Sequence, residues 1–325
     1  MAASDQIKSL IKSFGDADDD RFFASAMQIA ASEARQGHTS FSQELKILIE
    51  TARKNRSSIH FDQGKIVNMT ASKRDINELI EVFQPRVNLS NMVLDFDVRK
   101  RLTKLVSEQK KWELLRHHNL FPIRKLLLIG APGTGKTMTA HAIAGELGIP
   151  VFIIRLDGLL SKYMGESIAK LRLIFDLMPS QRAVYLFDEF DSIGSHRNQG
   201  QDIGEIKRIL NSFLINIEKD DSNSIIIAAT NLPDSLDTAL FRRFDDIIKY
   251  PLPTEGEIIS AIKKYTNSYS FDSRLNYANI AKSFLGLNYS DIAKACESTI
   301  KEKILSDSEK LHKEFLLNAL QSKLI

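Results

Sequence analysis

Positions 130–137 read GAPGTGKT, between the apolar run KLLLI and the helical pattern KTMTAHAIAGEL. Glycines at this spacing let backbone N–H groups curl around phosphate oxygens at a helix N-terminus, where the helix dipole also favours anions. Pro132, Gly133, Thr134 and Gly135 would form that loop; Lys136 would reach terminal phosphates, and Thr137 would offer its hydroxyl to Mg²⁺. The strand-loop-helix setting weighs against a chance glycine-rich turn. A second run, AVYLF, leads straight into Asp188 and Glu189. Two carboxylates at the C-terminal edge of a sheet stand where ligands of such folds bind. Asp188 suits Mg²⁺ held through water, and Glu189 suits a water that attacks a γ-phosphate. A third run ends in AATN, so Asn231 reaches the same edge, where its amide could serve the site or merely a turn. Arg242 and Arg243, in DTALFRRFDD, precede the last apolar run. Paired arginines are commonly a solvated face, but these could enter a neighbouring subunit's phosphate site, where a guanidinium offsets transition-state charge worth roughly 10³ to 10⁵ in rate.

The elements that must hold these residues are legible as alternation. KLLLI, VFIIRL, AVYLF, SIIIAA and DIIKY alternate with helical patterns, the rhythm of a parallel sheet of five strands covered on both faces. Ile206, Ile209, Leu210, Phe213, Leu214 and Ile217 keep to one helical face. A helix is expected over about Val98 to Leu115, and helices alone from Glu257, from about Leu275, from Ser290 and near the C-terminus. The first 57 residues have only helical periodicity. Stripes begin at Ile7 and Phe22, and a third helix starting at Ser40, with Gln43 completing a capping box, should bury Phe41, Leu45, Leu48 and Ala52. The expected organisation is a helical bundle over 1–57, a linker or small hairpin over 58–90, an α/β domain over 91–252 and a helical domain over 253–325.

Bulk properties restrict the function classes. With 325 residues, 43% apolar and 26% charged, the chain can bury a sizeable core in two or three units. A net charge of +3, with basic and acidic residues interleaved, is a poor match to a nucleic-acid partner. One cysteine, Cys296, cannot form an internal disulfide, and no run approaches the length of a membrane span. The expected setting is cytoplasmic.

GAPGTGKT, YLFDEFDSIG, IIAATN and ALFRRFD, in this order and spacing, resemble the AAA clade of AAA+ ATPases from about residue 90 onward. The resemblance implies an α/β P-loop AAA+ module with a C-terminal helical lid, ATP and Mg²⁺ as ligands, and a homo-hexameric ring with each site at a subunit interface. It makes GAPGTGKT the Walker A loop, FDE the Walker B segment, Asn231 sensor 1, and Arg242 and Arg243 arginine fingers. One departure stands out. The family's usual glycine and small residue before the lid aspartate are replaced by NYSD, Asn288 to Asp291, and no sensor 2 arginine is evident there.

The resemblance also gives meaning to SKYMGES, residues 161–167, which has neither helix nor strand period. In the clade this loop faces a central pore, so Lys162, Tyr163 and Met164 would grip an extended polypeptide, the aromatic by sequence-tolerant contact and the thioether by adapting its shape. The alternative is a tyrosine folded onto its own subunit. A polar loop at 195–205 would lie beside it. The leading expectation is an ATP-driven ring acting on protein substrates, its N-terminal bundle choosing a target or adaptor. No protease motif is visible, so a protease would be a separate partner. The alternatives are a nucleic-acid loader or transposition-type regulator, for which RKRLTKLVSEQKK is the sole basic candidate, and a nucleotide-controlled assembly switch.

Overall fold

The computed structural model describes residues 19–35, 37–57, 79–159, 166–194, 203–236 and 238–323. The chain divides into two compact units, Met1–Asn68 and Met69–Ile325. In the first, α1 (Asp19–Arg35) and α2 (Thr39–Ser57) form an antiparallel pair. Phe23, Ala26 and Ala30 are buried, and the buried Ser42 hydroxyl donates to the Ala30 carbonyl at 2.8 Å. That contact sets the face of α2. Phe41 and Leu48, expected inside, are 51% and 58% exposed, while Leu45, expected with them, is half-buried and the inward-facing positions beside them are Ser42 and the half-buried Ile49. The expected helix around Ile7 and the hairpin near Asp62 lie outside the described residues.

The second unit is a three-layer α/β domain with a helical domain attached. Its sheet contains β1 (Ile80–Phe83), β2 (Lys125–Gly130), β3 (Val151–Ile154), β4 (Val184–Phe187), β5 (Ile225–Thr230) and β6 (Asp246–Tyr250), in the order β1-β3-β4-β5-β2-β6. Five strands are parallel, as the alternating runs require. The sixth, β1, is antiparallel to β3 and comes from the segment expected to be a linker or hairpin, so the sheet has one strand more than the sequence suggested. β1 is a four-residue edge strand, IEVF, with Val82 and Phe83 exposed; it is apolar at three of its four positions but too short to carry a strand signal by itself.

Side chains alternate between two cores. Leu127 and Ile129 of β2 face one layer together with α7 (Glu166–Leu177) and α9 (Ile203–Lys219), to which Phe175, Ile209, Phe213 and Ile217 belong. Leu126 and Leu128 face the other layer, with α3 (Phe96–Lys110) and α5 (Lys136–Leu147), through Leu102, Leu105, Ala140 and Ile143. Burial on both faces is what makes these strands read as unbroken apolar runs. The helix expected to reach Leu115 ends earlier: α3 stops at Lys110, and α4 (Trp112–His117) follows as a separate short helix. α3 is capped by Asp95, whose carboxylate accepts from the Asp97 and Val98 amides, a cap worth about 1 kcal/mol.

Between the principal helices lie single turns: α6 (Leu156–Leu159), α8 (Asp191–Gly194) and α10 (Thr238–Phe241). The C-terminal domain comprises α11 (Glu255–Tyr265), α12 (Tyr277–Ser283), α13 (Tyr289–Leu305) and α14 (Lys313–Gln321), packed around its own core of Ile258, Ile262, Leu287, Ile292, Cys296 and Leu316.

Candidate nucleotide site

β4, β5 and β2 are consecutive in the sheet, and parallel strands about 4.8 Å apart deliver their C-terminal ends to one edge. Walker A follows β2, the Asp188–Glu189 pair follows β4, and Asn231 follows β5 between them. The structure therefore gathers Lys136, Thr137, Asp188, Glu189 and Asn231. Lys136 begins α5 and is 7% exposed; its ammonium donates to the Gly130 and Ala131 carbonyls at 2.8 and 2.9 Å and to Asn231 Oδ1 at 2.6 Å. Desolvation lowers its pKa from the ordinary 10.5, with Asp188 and Asp191 opposing that shift. Gly135 caps α5 with φ 101°, a conformation L side chains rarely adopt, leaving the first turn's amides directed at the loop.

Thr137 Oγ1 donates to Asp188 Oδ2 at 2.6 Å. A hydroxyl and a carboxylate oxygen in contact beside a phosphate loop form a hard-oxygen donor set that fits Mg²⁺. Glu189 is exposed and has φ 50°, in the left-handed region, where a residue with a Cβ is strained by roughly 1–2 kcal/mol. Two bonds hold that turn: the Glu189 amide donates to Asp188 Oδ1 at 3.0 Å, and the Phe190 amide to the Ala229 carbonyl at 2.8 Å. The strain falls on the carboxylate that the sequence matches to an attacking water.

Asp191, given no role in the sequence reading, ties the strand ends together by accepting from Thr230 Oγ1 at 2.9 Å and from the Asn231 amide at 3.2 Å. The third acid in FDEFD was the available signal. Behind α5, the buried Thr139 hydroxyl and Tyr250 hydroxyl lie 2.7 Å apart, joining the phosphate-loop helix to β6.

The lid touches the phosphate loop directly. The Ser290 amide donates to the Gly133 carbonyl at 3.1 Å, and Asn288 caps α13 by accepting from the Asp291 amide at 2.9 Å. A Cβ on Gly133, whose φ is 74°, would stand 2.4 Å from Asn288 Oδ1. The NYSD segment that departs from the family pattern is thus the lid's contact with Walker A. A strap before α3 makes a second link: Lys264 donates to the Ser90 carbonyl at 2.8 Å, and Val93 packs on the lid core.

Arg242 and Arg243 lie elsewhere. With Lys125 and Glu218 they line a small cavity at the start of β2, while the phosphate loop follows its far end, about 17 Å away along six residues of strand. Arg243 donates to the Ala239 carbonyl at 3.0 Å and faces Glu218 at 3.7 Å; Arg242 is exposed. Lys162, Tyr163 and Met164 lie outside the described residues, as does most of the 195–205 loop. Among the described residues no helix is long and apolar enough to cross a membrane.

Residues 126–252 match the family model for the AAA ATPases, the ATPase family associated with various cellular activities. An uncharacterised AAA family ATPase of Sinorhizobium fredii is 31% identical over 99% of this chain and 95% of its own length. The chain belongs to the AAA family of ATPases. As an AAA ATPase it binds and hydrolyses ATP. It is also 32% identical to the proteasome-activating nucleotidase of Methanoregula boonei over 65% of this chain, and 35% identical to the ATP-dependent zinc metalloprotease FtsH of Mycoplasmopsis synoviae over 55%. This AAA ATPase spans 50% of the length of the first and 28% of the second.

Proposed function

We infer that this AAA ATPase assembles into a hexameric ring that hydrolyses ATP at subunit interfaces and uses the turnover to pull polypeptides through a central pore. The observation that carries the reading is the distance between Arg242–Arg243 and the chain's own phosphate loop. A family arginine pair at the opposite end of β2 can serve hydrolysis only in another copy's site. The second support is SKYMGES, with Tyr163 between Lys162 and Met164, together with relatives whose names concern proteasome activation and proteolysis.

In this mechanism the loop Pro132–Gly135 and the first turn of α5 bind the phosphates through backbone amides, and Lys136 turns from its carbonyl partners to the terminal phosphate. Thr137 and Asp188 would hold Mg²⁺, which when bound would supply charge neutralisation on the phosphate oxygens. Glu189 orients the attacking water and accepts its proton as the new oxygen–phosphorus bond forms and the β–γ bridging bond breaks, giving ADP and phosphate. Asn231 holds position between Lys136 and that water. Arg242 and Arg243 of the neighbouring copy offset the developing charge. The N-terminal helical unit selects the target or an adaptor.

The test is capture by a stalled ring. Glu189→Gln keeps the phosphate loop and should bind ATP, turn over at least about a hundredfold more slowly, and retain its client. Tyr163→Ala added to the same chain should lower the retained amount without loss of ATP binding. Recovery of polypeptide supports the reading; recovery of nucleic acid, or equal retention with and without Tyr163, overturns it.

A further inference from the structure

At the sheet edge opposite the phosphate loop lies a cavity of about 350 Å³ with no part in the ATPase site. Trp112 and Arg116 of α4, Phe121 of the following loop, and Arg124 and Arg182, which precede β2 and β4, are among its lining residues. Three guanidinium groups so close together need counter-charge. Arg124 has it, pairing with both the carboxylate and the backbone carbonyl of Asp220. For Arg182 no ion pair is seen among the described residues: its Nε is buried without a hydrogen-bond partner, and burial lowers the pKa of its guanidinium. Arg116 lies over the Trp112 ring at 4.8 Å, so its fork is stacked and oriented.

Phe121, which lines the cavity, is 77% exposed, and Leu114 and Leu120, close to it in the chain, are 58% and 56% exposed, large apolar side chains near the half-buried Arg124 and Arg182 and the exposed Arg116. The cavity shares Asp221 with a groove of about 710 Å³ between α7 and α9, so an extended chain could continue from one to the other.

We propose that this cavity binds an acidic segment of a partner protein, an Asp or Glu carboxylate pairing with Arg182 and Arg116 while an adjacent apolar side chain packs on Phe121. A carboxylate matches the planar geometry of the Arg182 guanidinium, whose Nε has no acceptor among the described residues. A nucleic-acid strand is a poorer match, because phosphodiesters need an open basic track, whereas here the arginines line a confined pocket. The site is independent of the pore and hydrolysis reading, since Arg182 precedes β4 and Asp188 follows it.

Trp112 is the chain's one tryptophan and reports on the site directly. The full chain is titrated with a fluorescein-labelled, end-capped peptide containing Glu-Glu-Phe, and with its Gln-Gln-Phe counterpart, following anisotropy and, with unlabelled peptide, Trp112 emission. The expected result is saturable binding of the acidic peptide with a change in Trp112 emission, weakened by about tenfold or more in the glutamine peptide and in Arg182→Gln. ATP turnover should be unchanged. Arg116→Gln, at a more solvated position, should weaken binding in the same direction and keeps the test intact if Arg182→Gln does not fold. Equal binding of the two peptides, affinity indifferent to both arginines, no saturable binding, or displacement by oligothymidylate with the same arginine dependence would each overturn the proposal.

Discussion

Lys136 reaches the nucleotide from a place where its ammonium is already fully engaged, by two loop carbonyls and Asn231. Its pKa is lowered from 10.5, chiefly by desolvation, so the folded chain releases this proton at a lower pH than the unfolded chain does. Between those two pKa values the unfolded state binds more protons. The Lys136 contribution to stability therefore improves as pH rises through that window. Nucleotide binding has the opposite sign. A triphosphate favours the charged lysine, so binding takes up a proton in the window and ATP affinity falls as pH rises through it. Calorimetric titration with ATP from about pH 7.5 to about pH 10, in buffers of different ionisation enthalpy, measures both quantities. The slope and the proton uptake should vanish in Lys136→Met, along with most of the affinity. Flat affinity without proton uptake in the unaltered chain would show that titration of Lys136 does not govern nucleotide binding in this range.

At the scale of elements, the lid contact is the most consequential part of the site. Asn288 caps α13 and lies against Gly133, so its two roles can be separated by substitution. Asn288→Ser keeps a good cap and a neutral side chain, and should melt and bind ATP much as the unaltered chain does. Asn288→Ala loses the cap at about 1 kcal/mol, a fall of roughly 2–4 °C in Tm. Asn288→Asp keeps the cap but sets a negative charge beside the phosphate loop, and should weaken ATP binding several-fold with little change in Tm. Equal ATP affinity in the Asp and Ser variants would remove Asn288 from the nucleotide site. None of this was legible in the sequence beyond the fact of a departure. GAPGTGKT and FDE announce themselves because each places its chemistry within a few residues of a strand end. The Asn288–Gly133 contact joins positions far apart in the chain and has no local pattern. β1 was missed for a related reason, its four residues becoming a strand only by pairing with β3. On α2 the periodicity of Phe41 and Leu48 was real, yet the Ser42–Ala30 hydrogen bond selected a neighbouring face.

For the whole molecule the question is whether one chain contains a complete catalytic site. The fold holds the phosphate loop and Arg242–Arg243 at opposite ends of β2, and Arg243 is further anchored by Glu218 and the Ala239 carbonyl. Neither arginine can swing across the sheet without dismantling α10, so the proposed shared site makes a prediction that no rearrangement within one chain can imitate. An Arg242→Ala, Arg243→Ala chain should bind ATP with near-normal affinity and lose turnover by about 10³-fold or more. A Lys136→Ala chain should lose binding. Each alone is inactive, for different reasons. Mixed rings should recover activity, because an intact phosphate loop in one chain then meets intact arginines from the other, and random assembly from equal amounts gives that arrangement at roughly a quarter of the interfaces. Recovery should rise and fall with the mixing ratio and disappear when both defects are placed in every chain. Mixed rings, verified by differently sized tags, that stay inactive at every ratio would return Arg242 and Arg243 to an ordinary solvated surface.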